Sequence, residues 1–134
     1  MEDCIFCKIA QGKIPSNKIY EDDKIICFLD INPFSIGHCL VVPKKHSRWL
    51  WDMSEEDYVY LAKKTKFISN VLRKAFKTNW VEEIVAGMGI KHTHIHLFPR
   101  KDDDGLGEIP NKILNPVPSK EEMLKIADKI KNCL

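Results

Sequence analysis

Gly87-Met88-Gly89-Ile90-Lys91-His92-Thr93-His94-Ile95-His96-Leu97-Phe98-Pro99-Arg100 carries the strongest pattern in this chain. Its centre places three imidazoles at i, i+2 and i+4. Side chains alternate faces along a β-strand, so this spacing predicts a strand from Thr93 to Phe98, ended by Pro99. The three histidines share one side of it, while Thr93, Ile95 and Leu97 face the other and anchor it in a core. Imidazole serves as nucleophile, general acid or metal ligand. The two glycines just ahead let backbone N–H groups come close to an anion. A neutral imidazole that attacks phosphorus forms a P–N bond that water later opens, splitting one hard displacement into two easier ones. Phosphoryl or nucleotidyl transfer is therefore the first chemistry to expect. A hydrolase holding zinc through His92, His94 and His96 together ranks behind it, because no acidic ligand lies close to the triad in sequence.

Outward from this strand, short elements alternate with turn signals. A turn of helix over Phe6 to Ala10 stops at Ile14-Pro15-Ser16, and Lys18 to Glu21 reads as a strand leading into the turn Glu21-Asp22-Asp23. Lys24 to Leu29 is its hairpin partner, halted by Asp30-Ile31-Asn32-Pro33. Gly37-His38 opens the apolar run Cys39 to Val42. Ser54 with Asp57 resembles a capping box, and Tyr58, Leu61, Ala62, Ile68, Leu72, Ala75 and Phe76 follow at near-helical spacing, which predicts one long helix from Ser54 to Lys77. Trp80 to Val85 is strand-like. Ser119 with Glu122 caps a C-terminal helix whose inward face holds Met123, Ile126, Ala127 and Ile130. The order is that of an α+β fold with a mostly antiparallel sheet of about five strands, a short N-terminal helix, one long helix and a C-terminal helix.

The chain has 134 residues, a length that fits a single domain over residues 1–134. Apolar residues make up 44%, enough for a core without disulfide staples, and 21 Lys and Arg against 19 Asp and Glu leave a formal charge of +2. So small a charge gives little general attraction to nucleic acid or an anionic membrane, and no run reaches the roughly 20 apolar residues of a span. The five cysteines are an odd number behind the opening MEDCIFC, which does not read as a secretory signal, so a reducing, cytoplasmic setting (or a nuclear one) is expected. Cys27 and Cys39 fall in strand runs and read as buried apolar residues. Cys4-x-x-Cys7 alone fits a redox pair, half of a zinc site or chance.

The segment Gly87 to Arg100 resembles the signature of the histidine-triad (HIT) superfamily, Gly-Gln-(Ser/Thr)-φ-x-His-φ-His-φ-His-φ-φ-Pro-Arg, where φ is apolar. Cys4-Ile5-Phe6-Cys7-Lys8-Ile9, Ile14-Pro15, Tyr20-Glu21-Asp22, Phe28-Leu29-Asp30-Ile31-Asn32-Pro33 and Gly37-His38-Cys39-Leu40-Val41-Val42-Pro43-Lys44-Lys45-His46 agree with it in order, so the resemblance covers about residues 4–100, with 101–134 as an extension. It implies a HIT-like fold and a hydrolase or transferase that acts on the α-phosphate of nucleoside phosphoramidates or dinucleoside polyphosphates. His94 would be the nucleophile that carries a nucleotidyl group, His96 the contact to phosphate or leaving group, and His92 an orienting residue. Asp30 would hold the ribose hydroxyls, and Ile5, Phe6, Ile9, Phe28 and Ile31 would enclose a purine base of the AMP or GMP type. His38 would lie near the site, and Gly87, Met88 and Gly89 would approach the phosphate.

The resemblance further implies a structural zinc ion held by Cys4, Cys7, His46 and His92, with no cofactor needed for chemistry, and a homodimer in which two sheets join. Two features depart from the family pattern. The usual Gln and Ser/Thr of the turn are Met88 and Gly89, and the Asn-rich stretch before the turn is reduced to Lys77 to Ala86. Three side-chain donors to phosphate are thereby missing, each worth on the order of 1.5 to 3 kcal/mol. A nucleotide-binding module with little or no catalysis is the alternative that these losses motivate.

Overall fold

The computed structural model describes residues 3–134. Nine elements follow one another: α1 (Ile5–Ala10), β1 (Lys18–Glu21), β2 (Ile25–Leu29), β3 (Cys39–Pro43), a single 3-10 turn (Leu50–Asp52), α2 (Glu55–Phe76), β4 (Trp80–Val85), β5 (Ile95–Arg100) and α3 (Lys120–Lys131). The strands form one antiparallel sheet in the order β1-β2-β3-β5-β4. The class is the expected α+β arrangement.

β2 and β3 are buried along their whole length because both faces of the sheet are covered. Alternation sends Ile25, Cys27, Leu29, Cys39 and Val41 toward α2 and α3, where they meet Leu61, Ile68, Leu72, Met123, Ala127 and Ile130. Ile26, Phe28, Leu40 and Val42 face the other way, against Phe6 and Ile9 of α1. The segment beyond residue 100 thus shares the main core through α3, whose capping box at Ser119 and Glu122 forms as the sequence predicts.

α2 starts one residue after its N-cap Ser54 and ends at Phe76, with Lys77 closing it in a left-handed conformation. Its core stripe runs through Leu61, Thr65, Ile68, Val71, Leu72 and Ala75. Tyr58 and Ala62, expected on that stripe, are exposed. Residue 62 lies one position on from Leu61, a rotation of about 100° about the helix axis, and Tyr58 shares its row. Thr65 takes the inward place instead, its hydroxyl donating to the Leu61 carbonyl at 2.8 Å.

The histidine strand differs from expectation at both ends. β5 begins at Ile95, and β3 pairs with it only from Val41↔Ile95 to Cys39↔Leu97. Past Val41 the ladder gives way to isolated bonds with the end of β3 and the segment after it. The Pro43 carbonyl accepts His92 Nε2–H at 2.7 Å, and the Thr93 amide donates to the Ser47 carbonyl at 2.7 Å. Pro99, expected to end the strand, lies inside it opposite Val81. Its carbonyl accepts the Ser35 hydroxyl at 2.8 Å, so its backbone polar groups face the side where β3 has already ended and no N–H is needed.

The β1–β2 turn is held by Asp22, which accepts the Tyr20 and Tyr60 hydroxyls at 2.9 and 2.5 Å and the Lys24 and Ile25 amides at 2.8 and 2.9 Å. Burial by itself would raise its pKa, but the hydrogen bonds outweigh it and bring the group down to about 2. A carboxylate lowered in this way stabilises the fold fully above its unfolded value of about 3.9, and the contribution is lost as pH falls toward 2. Melting temperature is therefore expected to drop between about pH 4 and pH 2, and Tyr60→Phe to show a smaller drop over the same interval. An unchanged pH dependence in that variant would remove Asp22 as the source.

Candidate active site and metal centre

Two sites flank the start of β5. The first is built where α1, the loop after β3 and the approach to β5 converge. Cys4 Sγ lies 3.2 Å from His92 Nδ1, Cys7 Sγ lies 3.4 Å from His46 Nδ1 and 3.5 Å from His92 Nδ1, and the two Nδ1 atoms are 3.1 Å apart. All four donor atoms fall within 4.8 Å of one another. Ligands at Zn–N and Zn–S distances of about 2.1 and 2.3 Å in a tetrahedron stand about 3.3 to 3.8 Å apart, close to this spacing. Because His92 gives its Nε2–H to Pro43, its Nδ1 turns a lone pair toward the cluster. Burial and the adjacent Cys4 push the Cys7 thiol up to about 11, so thiolates here need a cation beside them. The donor set fits a closed structural zinc site.

The second site is a cavity of about 580 Å³, within the range of about 300 to 1,000 Å³ usual for small-molecule pockets. Ile5, Phe6, Ile9, Phe28, Asp30, Ile31, Gly87, Met88, Gly89, His94 and His96 all line it. His94 Nδ1–H donates to the His92 carbonyl at 2.6 Å, which leaves the Nε2 lone pair free to act. The ring centroids of His94 and His96 are 5.0 Å apart, and the Phe6 ring packs edge-to-face with His94 at a centroid distance of 5.1 Å. Asp30 Oδ1 accepts the Asn32 amide at 2.8 Å, and burial raises its pKa.

His38 and His92 do not line this cavity. His38 stands behind His96, fully buried, with Nε2 2.9 Å from His96 Nδ1. Its Nδ1 accepts the Phe34 amide at 2.9 Å, so the proton of the neutral ring sits on Nε2. That proton goes to His96 Nδ1, and His96 in turn presents Nε2–H. Burial holds His38 down to about 3, and burial followed by the neighbouring His94 holds His96 down to about 4, so both rings are neutral at physiological pH. Asp30, His38 and His96 are close enough to hold a metal ion, but the protonated Nε2 of His38 offers it no lone pair. A shared metal for the triad fails for a similar reason, since both nitrogens of His92 are committed elsewhere.

The turn before the triad has a glycine where only glycine fits: a Cβ on Gly87 would run into the Trp49 indole. Met88 is 96% exposed, and Gly89 meets nothing. Sequence patterning did not identify Phe34, Leu40, Ile90 or Ile113 as cavity residues. Phe34 could have been suspected from its place between Asp30 and His38. A larger cleft of about 680 Å³ beside Lys24, Arg48, Asp52 and Tyr60 mixes cations with carboxylates and contains none of the triad.

The HIT domain family model matches residues 11–103. An adenosine 5'-monophosphoramidase of Schizosaccharomyces pombe is 37% identical over 134 residues, covering 96% of this chain and 98% of that relative. An adenylylsulfatase of Arabidopsis thaliana is 42% identical over 78% of this chain, which spans 55% of that longer protein. A crystal structure of a Zn-bound histidine triad family protein from Mycobacterium smegmatis superposes with a TM-score of 0.83 at 26% identity, over 98% of this chain and 93% of that one. The chain belongs to the HIT domain family.

Proposed function

We propose that this protein hydrolyses nucleoside phosphoramidates, or related nucleotides with a leaving group on the α-phosphate, through a covalent nucleotidyl-His94 intermediate. The observation that carries this reading is the hydrogen bond from His94 Nδ1–H to the His92 carbonyl, which aims a free Nε2 lone pair into a nucleotide-sized cavity. The Nε2 lone pair attacks the α-phosphorus and the bond from phosphorus to the leaving nitrogen breaks; that nitrogen takes its proton from solvent while the His96 Nε2–H hydrogen-bonds it, so His96 stays neutral throughout. Water then attacks the same phosphorus and gives up a proton to solvent, the P–Nε2 bond breaks with His94 regained neutral, and a nucleoside monophosphate leaves. The Phe34–His38–His96 chain of hydrogen bonds keeps the donor proton on the cavity side of His96.

Ile5, Phe6, Ile9, Phe28 and Ile31 enclose the purine base in this reading, and Asp30 Oδ2 receives the ribose hydroxyls. The similar monophosphoramidase and adenylylsulfatase, each named for an adenylyl substrate, support an adenine nucleotide as ligand. Cys4, Cys7, His46 and His92 would hold zinc, which supplies a structural cross-link and no reacting group. Homodimer formation and a cytoplasmic setting remain part of the proposal, the latter in keeping with five free cysteines.

The test is to mix the protein with adenosine 5'-phosphoramidate, quench within a turnover and record the intact mass. A transient adenylyl adduct mapped to His94 is the expected result. Binding of AMP with no adduct and no turnover would instead establish the binding-module reading, which the donor-poor Met88–Gly89 turn favours.

A further inference from the structure

We propose that Ile113, carried in from the C-terminal extension, forms the outer wall of the base slot opposite Ile31 and sets how tightly a purine is gripped. The proposal rests on the nucleotide reading above and adds to it a residue past position 103, where the match to the HIT domain ends.

The extension reaches the cavity because it is fixed on either side of Ile113. Upstream, the buried Arg100 guanidinium donates to the Gly107 and Glu108 carbonyls at 2.6 and 3.2 Å. Its ion pairs with Asp104 and Glu82 hold it in place for that task, at 2.7 and 2.6 Å. Downstream, the Leu114 amide donates to the Pro33 carbonyl at 2.8 Å, stitching the strap onto the loop that follows Asp30. α3 then docks on the main core and ties off the far end.

Between these anchors Ile113 lines the same cavity as Ile31, His94 and His96. Ile31 is 69% exposed and Ile113 is 48% exposed. Two β-branched side chains with open apolar surface at one cavity mouth suit a flat apolar occupant, and their restricted χ1 makes closing on it cheap in entropy. The base is the only flat apolar part of a nucleotide, and Asp30, which lines the same cavity with Oδ2 3.7 Å from His96 Nδ1, takes the ribose position. Ile113 therefore acts on the base and leaves the phosphate untouched.

Equilibrium binding of AMP and of ribose 5-phosphate, measured by calorimetry on the full chain and on Ile113→Ala and Ile113→Val, tests this. Ile113→Ala is expected to weaken AMP by about five- to twentyfold, the equivalent of losing most of one isoleucine contact, with ribose 5-phosphate unchanged and Ile113→Val close to the parent. Equal AMP affinity in parent and Ile113→Ala overturns the proposal while the nucleotide reading stands. An equal loss for both ligands also overturns it, because a disturbed strap, not a base contact, would then be responsible. A parent chain that binds no AMP removes the nucleotide reading and this proposal with it.

Discussion

Replacing His94 with alanine is expected to lower single-turnover hydrolysis of adenosine 5'-phosphoramidate by about 10⁴-fold and to eliminate the adenylyl adduct, while melting stays within a few degrees of the parent. No neighbouring group can take over the attack. His96 receives the His38 proton on Nδ1 and carries its own proton on Nε2, and His92 has one nitrogen on the Pro43 carbonyl and the other in the sulfur cluster. The fold survives because His94 belongs to neither hydrophobic cluster and its side chain lies at the cavity wall. His96→Ala offers a contrast that separates the two roles. A hydrogen-bond donor to the departing atom matters most for a poor leaving group, so that variant loses phosphoramidate cleavage strongly but keeps more of its rate with a p-nitrophenyl ester, whose leaving group needs no such help. Equal losses on both substrates would deny His96 the donor role. Residual turnover near the parent level in His94→Ala would end the covalent mechanism.

How much of this was legible in the sequence depends on the range of the interaction. Alternation along a strand is local, so the common cavity face of His94 and His96 and the anchoring of Ile95 and Leu97 could be read directly from spacing, whereas His92, ahead of the strand, turns to the sulfur cluster. The N-cap at Ser54 and the capping box at Ser119 are local too, and α2 and α3 start where those residues predict, although Asp57 does not return the bond that would complete a box at Ser54. The start of β5 could not be read so, because it depends on where β3 stops pairing and on the capture of Thr93 by Ser47, which lies 46 residues earlier. The contact of His38 with His96 spans 58 residues and follows from β3 lying beside β5 with Leu40 opposite His96. The family resemblance gave His38 a place near the site and no partner. Ile113 was invisible for a further reason: nothing in the pattern around it marks a cavity residue, and its position is decided by Arg100, Pro33 and α3 together. Interactions that join two distant segments through a third are the ones periodicity cannot supply.

Disruption of the Cys4–Cys7–His46–His92 cluster is the other change expected to be large. Cys7→Ala should abolish the one zinc ion per chain that the four-ligand cluster fits and lower the melting temperature by about 10 °C, with exhaustive chelation of the parent doing the same. A structural zinc site contributes about 10 to 16 kcal/mol to a peptide that has no other core, but here the sheet and α2 fold around their own apolar cluster, so only the part that ties down α1 is at stake. α1 is six residues long and cannot hold itself, since isolated helices under about 12 residues are marginal. Its attachment comes from Phe6 and Ile9 on the sheet and from Cys4 and Cys7 beside His46 and His92. Releasing the cysteines loosens the two residues that form the inner wall of the base slot, and it frees His92, whose carbonyl orients His94. Nucleotide affinity and turnover should therefore fall together with zinc content, although no reacting atom touches the metal. Cys133→Ala is the control, because Cys133 lies outside the cluster and should leave zinc content and activity unchanged. A parent chain that keeps its melting temperature after zinc has been stripped and measured as absent would show that the cluster holds α1 through its own hydrogen bonds, and that the metal is dispensable to the fold.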